Sequence, residues 1–338
     1  MSSTSPRPQT TEVRLAYLIS AYRDPEHLAR LVEALNYHAD FYVHVDANVD
    51  ITPFRAALPP SVHFVPRHAV TWGGWNQVKY QMELMQSALQ SGQIYSHLVC
   101  LSGQDYPLWS NRRIHRFFQE NATCECICGY NLTRCSEPVP RRKVTLYHLF
   151  RDWPLHHPWL RNKLIVASRN LLRYIGVRRH PQVSISGQPC DVYFGSDYWA
   201  LTPPCARYVC NQLLHEPQIA RFFRTTFVPS ELCLQTLVFH SPYAKQALLH
   251  EGSYPGLTAL TPLHFIDYGA CIKELTLDDL PRLQAADKMF CRKVLSGKSD
   301  ALVSHIDALR RADEMAHRCH KKGDFTPSAG IVFDATQT

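Results

Sequence analysis

The sequence lacks long apolar runs and the short motifs of several common enzyme chemistries. It has no stretch of about 18 or more apolar residues, and residues 1–11 are rich in Ser, Thr and Pro rather than basic and then apolar. We therefore expect neither a secretory signal nor a membrane-spanning helix. There is no glycine-rich dinucleotide loop, P-loop, HExxH or Gly-x-Ser-x-Gly motif. These absences disfavour hydride transfer, P-loop phosphoryl transfer and serine hydrolysis.

The twelve cysteines are spread over a large chain with no predicted route to an oxidising compartment. We expect them to be mostly reduced and buried, in a protein of the cytoplasm. Cys124, Cys126 and Cys128 alternate along a predicted strand, so their thiols share one face. Zinc is the alternative, but a strand row at i, i+2 and i+4 does not readily turn around the ion. The sequence therefore predicts no metal site.

What is present is the composition of a folded protein, with 338 residues, 45% apolar and 19% charged. We expect a disordered N-terminus over 1–12, one domain over 13–315 and a flexible tail over 321–338. Strands are predicted at 15–19, 41–45, 62–65 and 97–101, with helices after the Asp24 cap and over 78–89. This alternation predicts an α/β fold with a mainly parallel sheet between two layers of helices.

Polar residues follow three of these strands, at Ser20, at Asp46 and in the turn 102–105. Ligands of open α/β sheets lie outside the carboxyl ends of the strands, so these residues are site candidates. Each one alone has the alternative of being a turn residue or a helix cap. In the second half we predict extended structure over 191–201 and strands at 263–268 and 289–294. Helices are predicted at 204–215, 230–240, 278–287 and 299–311.

The positive charge is concentrated in one segment. Residues 141–179 contain ten Lys or Arg and one acid, a net charge of +9, whereas the whole chain carries +7. Aromatic residues are interleaved with the charges. We interpret 134–180 as an irregular, proline-containing basic insertion that faces an anionic acceptor, an anionic membrane surface or nucleic acid. A solvated surface with no binding role is the alternative.

Eight segments in order resemble the Core-2/I-branching glycosyltransferase family, which includes β-1,6-N-acetylglucosaminyltransferases and peptide O-xylosyltransferases. They are YLISAYRDPEHLARLVEAL, FYVHVD, VTWGGWNQV, LVCLSGQDYPLWSN, GSDYWALTPPCARYV, FVPSELCLQTLVFHSP, LHFIDYG and MFCRKV. Gly-Ser-Asp at 195–197 and the spacing from Asp267 to Lys293 are more similar to the xylosyltransferase branch. The resemblance implies a GT-A-like nucleotide-sugar-binding fold, with a nucleotide-binding half over 13–130 and an acceptor and catalytic half over 185–315. Without the membrane anchor of the animal members, the chain resembles a soluble, bacterial member.

The resemblance also implies a catalytic base. Inverting transfer from a UDP-sugar needs a carboxylate that takes the acceptor hydroxyl proton as the oxygen attacks C1. Glu231 in Pro-Ser-Glu matches the family's Pro-x-Glu glutamate. The alternative is that Ser230 caps a helix and Glu231 is only a favourable first-turn acid.

The leaving diphosphate needs a positive partner, and the sequence has no Asp-x-Asp motif to hold a metal. The resemblance points instead to Arg292 and Lys293, since a guanidinium and an ammonium can supply this charge. A surface Arg-Lys pair is the alternative. His264 is the nearest candidate for a second basic contact found in some members before the matching strand.

Further site residues follow from the same resemblance. Ser20 and Asp46 are expected beside the uridine. Asp105 is expected to orient the donor or to cap a turn. Trp72 and Gly73 are expected on the donor side, with a core tryptophan as the alternative. On the acceptor side the family pattern places Asp197, which holds a hydroxyl, and Trp199, which stacks on a sugar or peptide.

The sequence and its family resemblance together predict an inverting, metal-independent glycosyltransferase that needs no cofactor. It moves N-acetylglucosamine or xylose from a UDP-sugar donor to a glycan or peptide acceptor, with a possible peripheral contact at the inner face of the membrane and no nucleic acid partner. The alternative function is a catalytically silent module of the same fold that binds anionic polymers or lipid through 141–179.

Overall fold

The first strand lies in the middle of the central sheet in the computed structural model, which describes residues 13–153, 157–269 and 271–319. This strand, β1 (Leu15–Ala21), is apolar at nearly every position, as expected for a strand covered on both faces. Leu15, Tyr17 and Ile19 pack into one apolar cluster, whereas Ala16 and Leu18 pack into another. The sheet is therefore enclosed between two helical layers, as the sequence predicts.

The other strands lie in three sheets. They are β2 (Ala39–Val45), β3 (His63–Phe64), β4 (His97–Ser102), β5 (Asp105–Pro107), β6 (Glu125–Asn131), β7 (Gln182–Ile185), β8 (Gln188–Asp191), β9 (Tyr193–Phe194), β10 (Ala200–Leu201), β11 (Ala247–His250), β12 (His264–Ile266) and β13 (Phe290–Arg292). The central sheet has the order β11-β6-β10-β4-β1-β2-β3, with β9 paired to β6. Strands β3, β2, β1 and β4 are parallel to their neighbours in that order, and β10 and β9 are antiparallel to theirs. The mainly parallel α/β prediction is confirmed.

The helices cover both faces of this sheet. They are α1 (Pro25–Leu35), α2 (Thr52–Ala57), α3 (Asn76–Gln90), α4 (Asn111–Glu120), α5 (Pro138–Thr145), α6 (Pro158–Tyr174), α7 (Pro203–His215), α8 (Pro217–Phe223), α9 (Ser230–Phe239), α10 (Leu280–Ala286) and α11 (Asp300–Cys319), with 3₁₀ turns at Ala244–Gln246 and Leu277–Asp279. Helices α1, α2 and α4 supply one apolar cluster, and α3, α7 and α9 supply the other.

Most predicted elements are present, with boundaries moved by a few residues. Asp24 caps α1 as expected, because its carboxylate accepts a hydrogen bond of 3.0 Å from the His27 N–H. The prediction of an irregular segment over 134–180 is wrong, since α5 and α6 lie within it. The helix predicted at 278–287 is shorter, because Leu277–Asp279 is a 3₁₀ turn before α10.

The eleven cysteines from Cys100 to Cys291 are free, and most of them are buried, as the sequence predicts. None of the helices in those ranges is long and apolar enough to cross a membrane. The predicted disordered segment 1–12 and the tail 321–338 lie outside the described residues.

Candidate active site

A cleft of about 450 Å³ opens at the carboxyl ends of β1, β2 and β4. From β1 the chain continues to β2 and β3 on one side of the sheet, whereas β4 lies on the other side of β1. Ligands of open α/β sheets bind where the strand order changes direction in this way. Seven of the ten predicted site residues line this cleft. They are Ser20, Asp46, Trp72, Asp197, Glu231, Arg292 and Lys293. Residues far apart in sequence are therefore brought to one place.

Glu231 lies in the first turn of α9, directly after a sharp bend. Val228, two residues before the helix, is buried and has φ 49°, a conformation that is unfavourable for a β-branched residue. The Ser230 hydroxyl does not cap the helix but donates to Asp197 Oδ2 over 3.1 Å. The expected alternative, with Ser230 as a cap, is thus not what the structure contains. The bend instead directs Glu231 into the cleft.

Lys143 of α5 is the ion-pair partner of Glu231, with Nζ 3.6 Å from Oε2. Its ammonium also lies 4.4 Å from the centre of the Phe194 ring and 5.1 Å from that of Phe227. Burial raises the pKa of Glu231 to about 8, and the nearby Asp197 charge adds to this, whereas Lys143 opposes it. Burial lowers the pKa of Lys143, against the effect of Glu231. The pair holds a carboxylate whose proton affinity is far above that of an ordinary glutamate.

Asp197 lies beside Glu231 but is engaged by its own neighbours. Its Oδ1 accepts from the Gln81 amide over 3.4 Å, and its Oδ2 accepts from Ser230. Burial raises the pKa of Asp197 to about 6, although both hydrogen bonds favour its charged form. Because local donors occupy both of its oxygens, Asp197 is less suited than Glu231 to accept a substrate proton. It is better suited to hold a substrate hydroxyl or to fix the start of α9.

Arg292 reaches the cleft from β13, which pairs with β5 so that Arg292 stands opposite Asp105. Its guanidinium donates to Asp105 Oδ1 over 3.0 Å and to the Ser102 hydroxyl. Burial opposes the charge of Arg292, but Tyr198 and Asp105 outweigh this and raise its pKa. Its buried Nε has no hydrogen-bond partner among the residues that the structure describes. Arg292 is therefore a rigid, permanently charged donor.

Asp105 does not face the cleft, which corrects the expectation that it orients the donor directly. It is fully buried and accepts from the Ser102 N–H over 2.7 Å, and His264 Nε2 lies 3.2 Å from its Oδ2. Burial alone would favour the neutral acid, yet His264, Arg292 and the Ser102 N–H together lower the pKa of Asp105. Asp105 is thus the anchor that positions Arg292.

The same geometry corrects the assignment of His264 as a diphosphate contact, because this ring is buried, stacks on Phe290 and directs its Nε2 to Asp105. Lys293 follows Arg292 and lines the cleft, together with Arg23 from the end of β1. Burial lowers the pKa of Lys293, and the nearby charges of Arg23 and Arg292 do so as well. Three cations therefore converge on one end of the cleft. Arg23 is not among the site residues that the sequence predicts, although its position just after the end of β1 indicates that it lies near the cleft.

Asp46 follows β2 and shapes the loop beside it. Its Oδ1 accepts from the backbone and side chain of Asn48, both over 2.9 Å, and from the Val70 N–H over 3.1 Å. Ser20 lines the cleft from the neighbouring strand. The part of the cleft where the sequence predicts the uridine is thus formed by the ends of β1 and β2 and by the loop that contains Val70.

Trp72 borders the cleft and is the exposed tryptophan of its loop, not a core residue. Arg151 donates to the Trp72 carbonyl over 3.0 Å, and the Asp152 carboxylate accepts from the Trp75 N–H over 2.6 Å at the start of α3.

Gly73 does not line the cleft. Its φ of +73° lets the loop turn, so its role is conformational. A Cβ on Gly74 would lie 2.2 Å from the Asp152 carboxylate, so only glycine allows this approach.

Trp199 is wrong as an acceptor contact. Its side chain is fully buried in the apolar cluster that contains α7 and α9. A buried ring has no face to offer a sugar or peptide. The aromatic residues that line the cleft are Tyr22, Trp72, Tyr80, Tyr198 and Tyr268.

No group of three or more His, Cys, Asp or Glu side chains able to hold a metal ion occurs in 13–153, 157–269 or 271–319. The Cys124, Cys126 and Cys128 row does not form such a group either. Cys126 instead lies with its sulfur 3.8 Å from that of Cys124.

Comparisons with known proteins agree with this architecture. Residues 15–254 match the family model described as "Core-2/I-Branching enzyme". Xylosyltransferase oxt of Drosophila melanogaster is 24% identical over 317 residues, which cover 87% of this chain and 33% of that protein. A beta-1,3-galactosyl-O-glycosyl-glycoprotein beta-1,6-N-acetylglucosaminyltransferase of Bos taurus is 28% identical over 233 residues, which cover 66% of this chain and 48% of that protein. The chain thus spans between a third and a half of the length of these curated relatives.

The matched region contains the strands whose ends form the cleft, together with Glu231 and Lys143. Its mainly parallel sheet flanked by helices is the GT-A-like arrangement of that family. With more than two thirds of its length matched, the chain belongs to the Core-2/I-branching enzyme family.

Proposed function

We propose that this protein is an inverting glycosyltransferase that moves N-acetylglucosamine or xylose from a UDP-sugar to a hydroxyl of a glycan or peptide. The observation that carries the proposal is that Glu231 lines the same cleft as Arg292 and Lys293. Such a reaction needs a carboxylate that accepts the acceptor proton and cations that stabilise the leaving diphosphate. The names of the relatives support the two donor sugars.

In the proposed reaction the acceptor oxygen attacks C1 of the sugar while its proton passes to a Glu231 oxygen. The bond between C1 and the diphosphate oxygen breaks, and its electron pair leaves with UDP. Lys143 opposes the effect of burial on the pKa of Glu231 and so increases the fraction of Glu231 that is ionised and able to act as a base. Arg292, held by Asp105, and Lys293 stabilise the charge that grows on the diphosphate. The proton and the leaving charge are thus accepted by different groups of one cleft.

The direct experiment is a panel of UDP-sugars tested for thermal stabilisation of the protein and for release of UDP. UDP-N-acetylglucosamine or UDP-xylose is expected to stabilise the protein most and to be slowly hydrolysed without an acceptor. ADP-glucose and GDP-mannose serve as controls for the nucleotide. If no UDP-sugar raises the melting temperature or is turned over, the proposal is wrong.

Activity is expected to persist in EDTA, because basic side chains line the cleft of a chain that has no Asp-x-Asp motif. Initial rates with and without chelator should agree within about twofold. Complete loss of turnover on chelation, with recovery on addition of Mn²⁺ or Mg²⁺, would show that a metal carries the leaving-group charge.

Lys143→Met is expected to move the pH profile of kcat/KM to higher pH. Glu231 works as a base only when deprotonated, so the rate rises with pH through its pKa. Removing the ammonium at 3.6 Å raises that pKa further. A shift of about one pH unit corresponds to a roughly tenfold lower rate at pH 7 and to a smaller difference at pH 9.

Two variants test whether Lys143 acts through its charge. Lys143→Arg should restore most of the pH profile. Arg142→Met removes an exposed cation from the same helix and should leave the profile unchanged. If Lys143→Met has the wild-type pH profile, Lys143 does not set the pKa at which Glu231 becomes active.

A further inference from the structure

Helix α6 turns an unusual surface to solvent. Its outward face carries two largely exposed aromatic rings, Trp159 at 67% and Tyr174 at 89%, and the aliphatic side chains of Leu160, Val166 and Leu171. Among the α6 side chains that the structure describes, only Ile165 is fully buried. Isolated apolar residues on a surface are ordinary, but five along one helix form a patch that marks an interaction site.

The segment that carries this patch has charges of one sign. There is no Asp or Glu between Asp152 and Asp191. Lys163 and Arg173 are exposed on the same side of α6 as the apolar residues, and the Lys163 ammonium lies 3.8 Å from the centre of the Trp159 ring. The patch therefore combines apolar, aromatic and cationic groups on a segment that contains no acid of its own.

Three other cations of the basic segment are engaged by groups of the protein itself. Lys143 pairs with Glu231, and Arg151 holds the Trp72 carbonyl. Arg179 is buried and donates to the Phe222 carbonyl over 2.7 Å. The positive charges of 141–179 therefore do not all belong to one binding surface. The exposed cations of the segment are Arg141 and Arg142 on α5, Lys163 and Arg173 on α6, and Arg178 after α6.

We propose that the outward face of α6 docks on an anionic lipid bilayer, with its apolar residues at the level of the headgroups. Tryptophan and tyrosine favour that boundary, and Lys and Arg are attracted to anionic headgroups. A second copy of the chain fits less well, because two acid-free cationic faces would repel each other. Nucleic acid fits less well too, because its phosphate backbone makes no favourable contact with the aliphatic side chains of Leu160, Val166 and Leu171. The inference rests on the surface of α6 and does not depend on the proposed transfer reaction.

This helix is joined to the wall of the cleft. Arg161 of α6 donates to the Thr71 hydroxyl over 3.1 Å, next to Trp72. A bilayer that contacts the outward face would thus be separated from this loop by the width of α6, roughly 10–12 Å. Acceptors carried on the membrane are then the class that docking would favour.

The test is co-sedimentation of the full chain with vesicles of phosphatidylcholine alone and of phosphatidylcholine with 30% phosphatidylglycerol. Binding is expected only to the anionic vesicles and should weaken strongly in 0.5 M NaCl. Lys163→Glu with Arg173→Glu, and separately Trp159→Ser with Tyr174→Ser, should each reduce binding at least about tenfold. Arg207→Glu with Lys245→Glu is the matched control, since it reverses two exposed cations on other elements and should bind as the wild type does.

All of the altered side chains are exposed, so the variants should retain the wild-type melting temperature. Absence of binding to anionic vesicles, or equal loss in the α6 variants and the control, would overturn the proposal. Self-association that the α6 variants abolish, without vesicle binding, would assign the face to a second copy and would overturn it as well. Loss of UDP-sugar turnover with vesicle binding intact would affect only the proposed function.

Discussion

Glu231→Gln is expected to lower the transfer rate by on the order of 10²–10⁴ while changing the affinity for the UDP-sugar by no more than a few-fold. The amide has nearly the shape of the carboxylate but cannot accept the acceptor proton. The donor contacts at Arg292 and Lys293 are not altered by this change. Transfer rates and donor binding by calorimetry, measured on the same preparation, separate the loss of a base from the loss of a binding site.

Glu251→Gln is the control, because it removes an exposed carboxylate that does not line the cleft. It should behave as the wild type. If Glu231→Gln keeps full activity, the base lies elsewhere, and Asp197→Asn becomes the variant to test. The hydrogen bonds that Asp197 accepts from Gln81 and Ser230 argue that this second variant would mainly disturb positioning.

Lys293→Met is expected to reduce kcat/KM by on the order of 10²–10³, the usual cost of removing one group that stabilises developing negative charge. It should also weaken the binding of UDP while leaving that of uridine unchanged, since uridine has no diphosphate. The comparison of these two ligands assigns the effect to the charge and not to a distorted pocket.

The control for Lys293→Met is Lys298→Met, which removes a nearby exposed ammonium paired with Glu274. Both of its affinities and its rate should match the wild type. Equal weakening of UDP and uridine by Lys293→Met would instead indicate a local structural change. Arg292→Lys provides a second measurement, because it keeps the charge but loses the two-sided contact with Asp105 and Ser102.

The sequence predicts the sheet well because periodicity and caps are local properties. The strand ends at Ser20 and Asp46 follow from alternating buried strands and helices, and the parallel order brings them together. The error over 134–180 has a local cause as well. Pro138 and Pro158 begin α5 and α6, where proline is well suited to the first turn, whereas the sequence interpretation treats these prolines as marks of irregular structure.

The site is harder to predict where it depends on contacts between distant segments. Lys143 and Glu231 are 88 positions apart, and no local pattern pairs them. The burial of Asp105 depends on the pairing of β5 with β13, which are even further apart in the chain. Trp199 lies in the irregular segment between β9 and β10, so strand alternation could not tell whether it faces the cleft or the core.

The contacts of Arg151 and Asp152 with the loop at 72–75 bear on how this protein can be engineered. The segment 134–180 has the appearance of an addition that a shorter version could omit. Yet Asp152 completes the start of α3, and Gly74 has no side chain because that carboxylate occupies the space. Deleting the segment, or exchanging it with that of a relative, would remove the hydrogen-bond acceptor of the Trp75 N–H at the start of α3. It would also leave an unfilled space beside Gly74. Chimeras should therefore exchange the loop and the segment together.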